Sequence, residues 1–573
     1  MTKKNCFLGI HDGHNCGAAL IIDGEVVAAV NEERLSRNKN DSGYPRQSID
    51  EVLKIGGVQA VDLNHVVFAS NFMHTKAHLE EISLWYPVGI KEQKADQSRP
   101  KEYARQLFEI RRKERIEESV NHLGIEIEKV EFVEHHRAHL TAAYYTAPTL
   151  NPGKKILGLT CDGAGDNLCA TVSICKDNNI DRISKTDRHA SLGKIYSRVT
   201  YLMGMTPWEH EYKVMGLAPY SDPKYAHAAA EPLRGLLRVS DDGLSFILNS
   251  EVSTNYCYET LRDAYERERF DNMAGGVQLF TEEILVEWIR GCIAHTGITD
   301  IVCGGGVFMN VKANMCIAAL PEVTSMYVMP SAGDESLSIG AALDSYYRAT
   351  KDTNFSKSII KNLYLGADKA EEEKNVIDRA KSSKGFNVFK PQDMSMSIAE
   401  LLSKGEIVAV CRGRMEWGAR ALGNRSILCA ANDFRRINEI NNMIKMRDFW
   451  MPFAPSIIEE RASEYFNDPK NIHPKFMTFA FNVIEGRQQD LAAASHPKDH
   501  TIRPQIVSID SNPDYHSILS KYLNITGHGV ILNTSFNLHG EPIVYGAKDA
   551  FRVLELSGLR HLALNNFIIS KNL

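Results

Sequence analysis

The chain opens with LGIHDGHNCGAALIIDGEVVAAV (residues 8–30), in which short apolar runs alternate with Gly-containing turns. That pattern predicts strands, with Asp23-Gly24 as the tight turn of a hairpin joining GAALII to EVVAAV. LGLTCDGAGDNLCATVSIC (157–175) repeats the arrangement: an apolar strand ending in Asp-Gly, a glycine turn and a second apolar strand. Such turns present backbone N–H groups that can form an anion-binding nest. Two copies predict a duplicated, two-lobed nucleotide-binding α/β fold. Between them, Ala77–His122 is highly charged and predicts helix, with Gly124 as a stop signal. A helix over 277–297, a strand at DIVCGGG and a helix after SAGDES predict a further α/β lobe. Residues near 180–270 are polar and less regular, which predicts an insertion or lid. Lys-rich sequence from Thr350 to Asn362 predicts a linker, and beyond it the chain is dense in Arg with β-rich segments such as EIVAVCRGR and GVILNTSFN. Two domains, 1–358 and 359–573, are expected.

Composition narrows the class. The 573 residues are 43% hydrophobic and 24% charged, with a net charge of −6, as in an ordinary folded protein. No basic stripe is present, which argues against extended nucleic-acid binding. The eleven Cys include no C-x-x-C pair, and many lie in apolar stretches, which argues for a reducing compartment and against a disulfide framework. No apolar h-region or membrane-length apolar run is seen, so a cytoplasmic protein without a membrane partner is expected.

Several constellations could carry chemistry. His135 and His139 in VEHHRAHLTAAYY share a helix face, so both imidazoles can reach one metal ion. His136 points elsewhere. Asp162 and Asp334 each follow a strand-like run and are candidate further ligands; such a set suits Fe(II), Mn(II) or Zn(II). The Glu of an H-E-x-x-H metalloprotease is missing, with Arg137 in the middle of the motif, which argues against that class. CGGGVFMN (303–310) reads either as a turn approaching a nucleotide or simply as a tight strand-to-helix turn. Arg412, Arg414, Arg420, Arg425, Lys445, Arg447 and Arg503 lie among Gly and apolar residues, and read as a pocket for a small, highly charged anion. Asn533 and Ser535 could add neutral donors, and His11 and His14 flank the first turn as candidate general bases.

Taken together, GAALIIDGEVVAAVNEERLSR, EHHRAH, EYKVMGLAPY, GGGVFMN, GRMEWGARALGNRSIL, RPQIV and LNTSFNLHGEPIV resemble the O-carbamoyltransferases of the nodulation and antibiotic type, which include the tobramycin, novobiocin and hydroxymethylcephem enzymes. The resemblance spans nearly the whole chain. It implies an actin/hexokinase/Hsp70-like N-terminal domain similar to the tRNA threonylcarbamoyl-transfer protein, followed by a YrdC-like α/β domain. It implies that the second domain makes carbamoyl adenylate from carbamoyl phosphate and ATP, and that the first passes the carbamoyl group to a hydroxyl of a small-molecule natural product.

By motif, the resemblance implies that His135, His139, Asp162 and Asp334 ligate Fe(II) or another divalent metal, with Mg(II) as an accompanying ion. It makes His14 the base near the acceptor, with Gly305, Gly306 and Asn310 holding adenosine. Arg420, Lys445, Arg503 and Ser535 would hold carbamoyl phosphate, with Arg425 and Arg447 as neighbours. Asn15 stands where the family usually has Asp, so His11, in its own His-Asp pair, competes with His14 for the role of base. Met451 and Ala419 replace a common Arg and a usual Pro. The acceptor is left open among aminoglycoside, nucleoside, alkaloid, polyketide and oligosaccharide, the acidic balance favouring a cationic one. A monomer or homodimer is expected, with no stable nucleic-acid partner. A tRNA-modifying protein and a sugar kinase are the competing readings; the missing basic stripe opposes the first, and the His pair and Arg-rich C-terminal region are unexplained by the second.

Overall fold

The structure, a computed structural model, describes residues 4–572 and is mixed α/β. It divides into two compact units: residues up to Glu32 with Asn40–Ile360, and Glu33–Lys39 with the residues from Lys361 onward.

The first unit holds two five-stranded sheets. One contains β1 (Cys6–His11), β2 (Gly17–Ile22), β3 (Glu25–Asn31), β4 (His65–Ala69) and β5 (Val130–Val133) in the order β3-β2-β1-β4-β5. The other contains β6 (Ile156–Gly165), β7 (Leu168–Lys176), β8 (Asn179–Asp187), β9 (Asp300–Gly304) and β10 (Ser325–Val328) in the order β8-β7-β6-β9-β10. Each sheet joins three antiparallel strands to two parallel ones, so the two share one topology as well as one turn pattern. The turn at Asp23-Gly24 follows the predicted hairpin, with both residues in the left-handed region.

Helices His135–Thr146 and Leu337–Thr350 pack on each other beside Val67, Ala69 and Val133 of the first sheet. Gly340 makes their contact possible, because a Cβ there would lie 1.8 Å from the Ala138 carbonyl oxygen. The close approach brings the start of one helix, which follows Asp334, beside the His-bearing turns of the other.

Two expectations need correction. Residues 180–270 are an edge strand, a run of helices and a short hairpin of Leu237–Val239 with Phe246–Leu248, regular elements where the composition predicts irregular structure. β8 exposes most of its side chains because it borders the sheet, and Ser191 and Asp222 cap Leu192–Leu202 and Pro223–Arg234. Their polar composition reflects amphipathic surface elements. The stretch before residue 360 is also fastened: Phe355 is buried against Tyr145 and Tyr347, and the Ser358 hydroxyl lies 2.7 Å from that of Tyr347.

The second unit is built on an eight-stranded sheet of β11 (Phe386–Phe389), β12 (Val408–Cys411), β13 (Arg425–Ala430), β14 (Ala454–Ile458), β15 (Gln505–Val507), β16 (Val530–Ser535), β17 (His561–Leu564) and β18 (Phe567–Lys571). Its order is β11-β18-β17-β12-β13-β16-β14-β15. Val408, Val410, Leu428 and Ile531 of the sheet share a core with Ile398, Leu402, Leu519 and Tyr522 of two helices. The segment Glu33–Lys39 belongs to this unit in space although not in sequence: Arg34 donates to the Gly418 carbonyl at 2.7 Å, and Arg37 to those of Pro542 and Ile543, each at 2.8 Å. All eleven Cys are free, and among the described residues no helix is long and apolar enough to cross a membrane.

Candidate functional site

The first site forms where parallel strands of the first unit end, the usual place for ligands in open α/β sheets. His135 and His139 follow β5, Asp162 lies near the end of β6, and Asp334 follows β10. One ligand atom from each of these four lies within 4.8 Å of all the others. The two imidazole Nε2 atoms are 3.2 Å apart, and Asp334 lies 3.4 Å from His139 Nε2 and 3.7 Å from that of His135. Asp162 lies 3.5 Å from His135 Nε2.

The outer face of each imidazole is held. His135 Nδ1 is 2.9 Å from Ser70 Oγ and His139 Nδ1 is 3.3 Å from Ser336 Oγ. With those Nδ1 atoms carrying the protons, both Nε2 lone pairs face two carboxylates. Four converging acceptors fit a divalent cation. Electrostatics agree: burial opposes charge on His135, but Asp334 and Asp162 raise its value to about 9. Asp334, despite its burial, is held well below the usual carboxylate range by His14, His135, His139 and His11.

Ser70 owes its position to strain that its neighbours contain. Its φ of 74° is in the left-handed region, uncommon for a residue other than glycine. Arg115, 2% exposed, donates to the carbonyls of Ala69, Ser70 and Asn71 and grips Asp12 with two bonds of 2.8 Å. Asp166 accepts from the backbone N–H groups of Asn71, Phe72 and His135 at 2.8, 3.0 and 2.9 Å.

His14 Nδ1 lies 3.3 Å from Asp334, and its ring stacks on Trp208 at 4.1 Å and 18°. His11 is fully buried, and its Nε2 lies 3.0 Å from the His14 carbonyl oxygen. Burial lowers it to about 4. Of the two, only His14 is partly exposed. Asn15 has φ 54°, a left-handed position that Asn and Asp both adopt, so the backbone gives no reason for that departure from the family pattern. His136 is a buried structural residue, 2.8 Å from Thr160 Oγ1 and held near 3 by burial and by His135.

The glycine turn supports the cluster. Gly305 has φ 100°, a Cβ there would lie 2.3 Å from the Cys161 carbonyl oxygen, and the Gly306 N–H donates to Asp162 at 2.7 Å. The Asn310 amide, an expected adenosine contact, caps helix Val311–Ala318 through Ala313 N–H and exchanges two bonds with Gln278.

The second site lies in the second unit. Lys445, 3% exposed, donates to Ser535 Oγ at 3.0 Å and Asn537 Oδ1 at 2.6 Å. Burial, then Arg447 and Lys39, push its ammonium well below its usual value. Arg447 also donates to Thr534 Oγ1 at 3.1 Å. Arg420 and Arg503 are half-buried. Arg425 departs from the expectation of an anion contact. It is 1% exposed, and its guanidinium donates to the carbonyls of Tyr545, Arg412, Gly413 and Asn424, which makes it scaffold. Arg412, Arg414 and Asn533 likewise bond to backbone carbonyls, and the Met451 side chain is buried. Sequence reading missed Ser70, Arg115, Asp166, Lys194, Trp208 and Lys39; only Lys39, two residues beyond the LSR motif, had a local signal.

Comparison with known proteins agrees with this division. The carbamoyltransferase N-terminus model matches residues 6–343 and the carbamoyltransferase C-terminus model residues 399–571. The chain is 30% identical to an uncharacterized protein of Methanocaldococcus jannaschii, over 98% of this chain and 99% of that one. It is 29% identical to nodulation protein NolNO of Sinorhizobium fredii, over 100% of this chain and 80% of that one. It is also 29% identical to 3'-hydroxymethylcephem-O-carbamoyltransferase of Streptomyces clavuligerus, over 47% and 48% of the two chains.

Proposed function

The chain belongs to the carbamoyltransferase family, enzymes that transfer carbamoyl groups, and from that premise we propose that it uses ATP and carbamoyl phosphate to carbamoylate a hydroxyl of a small-molecule natural product. The observation that carries this reading is His14, partly exposed and 3.3 Å from Asp334 at the rim of the four-ligand cluster.

In this reading the second unit, YrdC-like in role, forms carbamoyl adenylate. Water first takes the phosphoryl group of carbamoyl phosphate, releasing phosphate and leaving carbamate; a carbamate oxygen then attacks the α-phosphorus of ATP, and pyrophosphate leaves. Lys445, flanked by Arg447 and Lys39, supplies positive charge with no carboxylate within ion-pair distance among the described residues, and Ser535 orients its ammonium. Arg420 and Arg503 complete the oxyanion contacts.

The first unit, actin-like in role, carries the transfer. The acceptor oxygen bonds to the carbamoyl carbon, the bond to the adenylate phosphate breaks with its electron pair on phosphate, and AMP leaves. His14 takes the acceptor proton on Nε2, since an alcohol's own pKa lies far above neutrality. Asp334 on Nδ1 and Trp208 on the ring face fix its orientation. His135, His139, Asp162 and Asp334 would hold iron or another divalent metal, which supplies Lewis-acid polarisation of the anhydride when bound. Gly305 and Gly306, their N–H groups given to the Ala332 carbonyl and the Asp162 carboxylate, shape the turn beside the nucleotide. The cephem relative, by its name, carbamoylates a hydroxymethyl group, which supports a hydroxyl acceptor here.

The test supplies ATP, labelled carbamoyl phosphate and a panel of hydroxylated natural products to the metal-loaded protein. Label in a product together with AMP supports the reading; ADP with a phosphorylated product contradicts it.

A further inference from the structure

Beside the four-ligand cluster stands a cation that the mechanism above does not use. Lys194 lies in the first turn of helix Leu192–Leu202. The Ser191 hydroxyl fastens that turn, accepting from the Lys194 N–H at 3.1 Å and donating to the Gly163 carbonyl at 2.7 Å. Gly193 presses against the same strand end: a Cβ there would lie 3.0 Å from the Asp162 carbonyl oxygen and the Gly163 nitrogen. The lysine stem is thereby pinned over the turn that carries Asp162.

Its ammonium has no carboxylate within ion-pair distance among the described residues. The charged groups facing it are Arg198 on its own helix, Asp162, Asp334 and Glu211. Glu211 is engaged elsewhere, accepting from the Trp208 N–H at 2.8 Å and the Ser197 hydroxyl at 3.0 Å. The Trp208 ring lies 5.7 Å from the ammonium and carries His14 stacked at 4.1 Å. Trp208 holds a φ of 68°, a strained position for so bulky a residue.

The charges decide what belongs there. Two carboxylates neutralise one divalent cation, and Glu211 offsets one of the two cations Lys194 and Arg198, so a filled cluster leaves this set one positive charge in excess beside His14. A half-buried cation with no carboxylate in ion-pair distance calls for an anion. We propose that Lys194 is an oxyanion-binding residue of the first unit, receiving the nucleotide phosphate and neutralising it as the carbamoyl group leaves for the acceptor. This rests on the nucleotide reading above. In the transfer step the phosphate oxygen gains the electron pair of the broken carbon–oxygen bond, while the acceptor proton goes to His14. Lys194 adds charge at the leaving side of that reaction.

Calorimetric titration of the metal-loaded, full-length protein with AMP, adenosine and inorganic phosphate tests this. AMP binds the unaltered protein more tightly than adenosine. Lys194→Met weakens AMP by about 10- to 100-fold, the range for a hydrogen bond to a charged group, and leaves adenosine unchanged. Lys194→Arg restores most of the AMP affinity, and unchanged melting of both variants shows that they fold. AMP binding in Lys194→Met equal to that of the unaltered protein overturns the proposal, as does an equal loss of AMP and adenosine. Phosphate binding that depends on Lys194, with no AMP or adenosine binding, keeps the oxyanion site and overturns the nucleotide reading instead.

Discussion

Acceptors converge at His135, His139, Asp162 and Asp334, whereas the charged groups that act most on Lys445 are the cations Arg447 and Lys39. The first site sets two buried carboxylates beside two imidazole lone pairs; the second buries an ammonium beside Arg447 and Lys39. Buried charges of one sign are unstable unless something opposite completes them. In the proposed function the first residue set therefore takes a cation and the second a small oxyanion. The support behind them differs too. One imidazole is oriented by Ser70 on a strained loop and the other by Ser336 in an unstrained helical turn, while the second unit holds a buried arginine, Arg425, that donates to backbone carbonyls.

The largest expected effect breaks the contrast at its acidic end. His135→Ala removes one of four ligands and lowers divalent-metal affinity by more than about 100-fold, read as metal content after dialysis; loss of an outer hydrogen-bond partner alone gives roughly 10- to 100-fold. Next is the basic end. Lys445→Met lowers carbamoyl-phosphate-dependent pyrophosphate release by about 10- to 100-fold at unchanged metal content. Arg425→Met sharpens the distinction between ligand contact and scaffold. It strips donors from four carbonyls, at about 1–3 kcal/mol for each left unpaired, and shows as a lowered melting temperature. Ser70→Ala frees His135 and weakens metal binding by about 10-fold, with Co(II) absorption as readout.

The smallest effect serves as a control outside both sites. Glu131 is held at about 2 by its hydrogen bond to His65, with Ser345 and Arg348 adding to it against burial. Its folded value lies below the unfolded one of about 4.3, so it stabilises the fold above that pH and ceases to as pH falls toward 2. Glu131→Gln therefore melts a few degrees lower near neutrality, and the difference closes on acidification, with metal binding unaffected.

What the residues disclosed follows from how local each signal is. Strand pairs joined by Asp-Gly and Gly turns were legible because turn chemistry and period-two burial act within a few residues. His135 and His139 were legible as one face of a helix, and Asp162 and Asp334 as strand-end carboxylates; their convergence depends on Gly340, where two helices touch. Arg425 misled, because an arginine among glycines looks the same whether it faces a ligand or a ring of carbonyls. Polar residues in 180–270 misled in the same way, since an edge strand and an irregular loop expose similar side chains. Lys194 and Trp208 left no trace in the sequence: their meaning lies in contacts with residues far along the chain.

The most direct test measures pyrophosphate release from ATP, with and without carbamoyl phosphate and with no acceptor, in the metal-loaded protein, His14→Ala and Lys445→Met. The account predicts release that requires carbamoyl phosphate, survives in His14→Ala and falls about 10- to 100-fold in Lys445→Met. Release independent of carbamoyl phosphate, or lost in His14→Ala and kept in Lys445→Met, would contradict it.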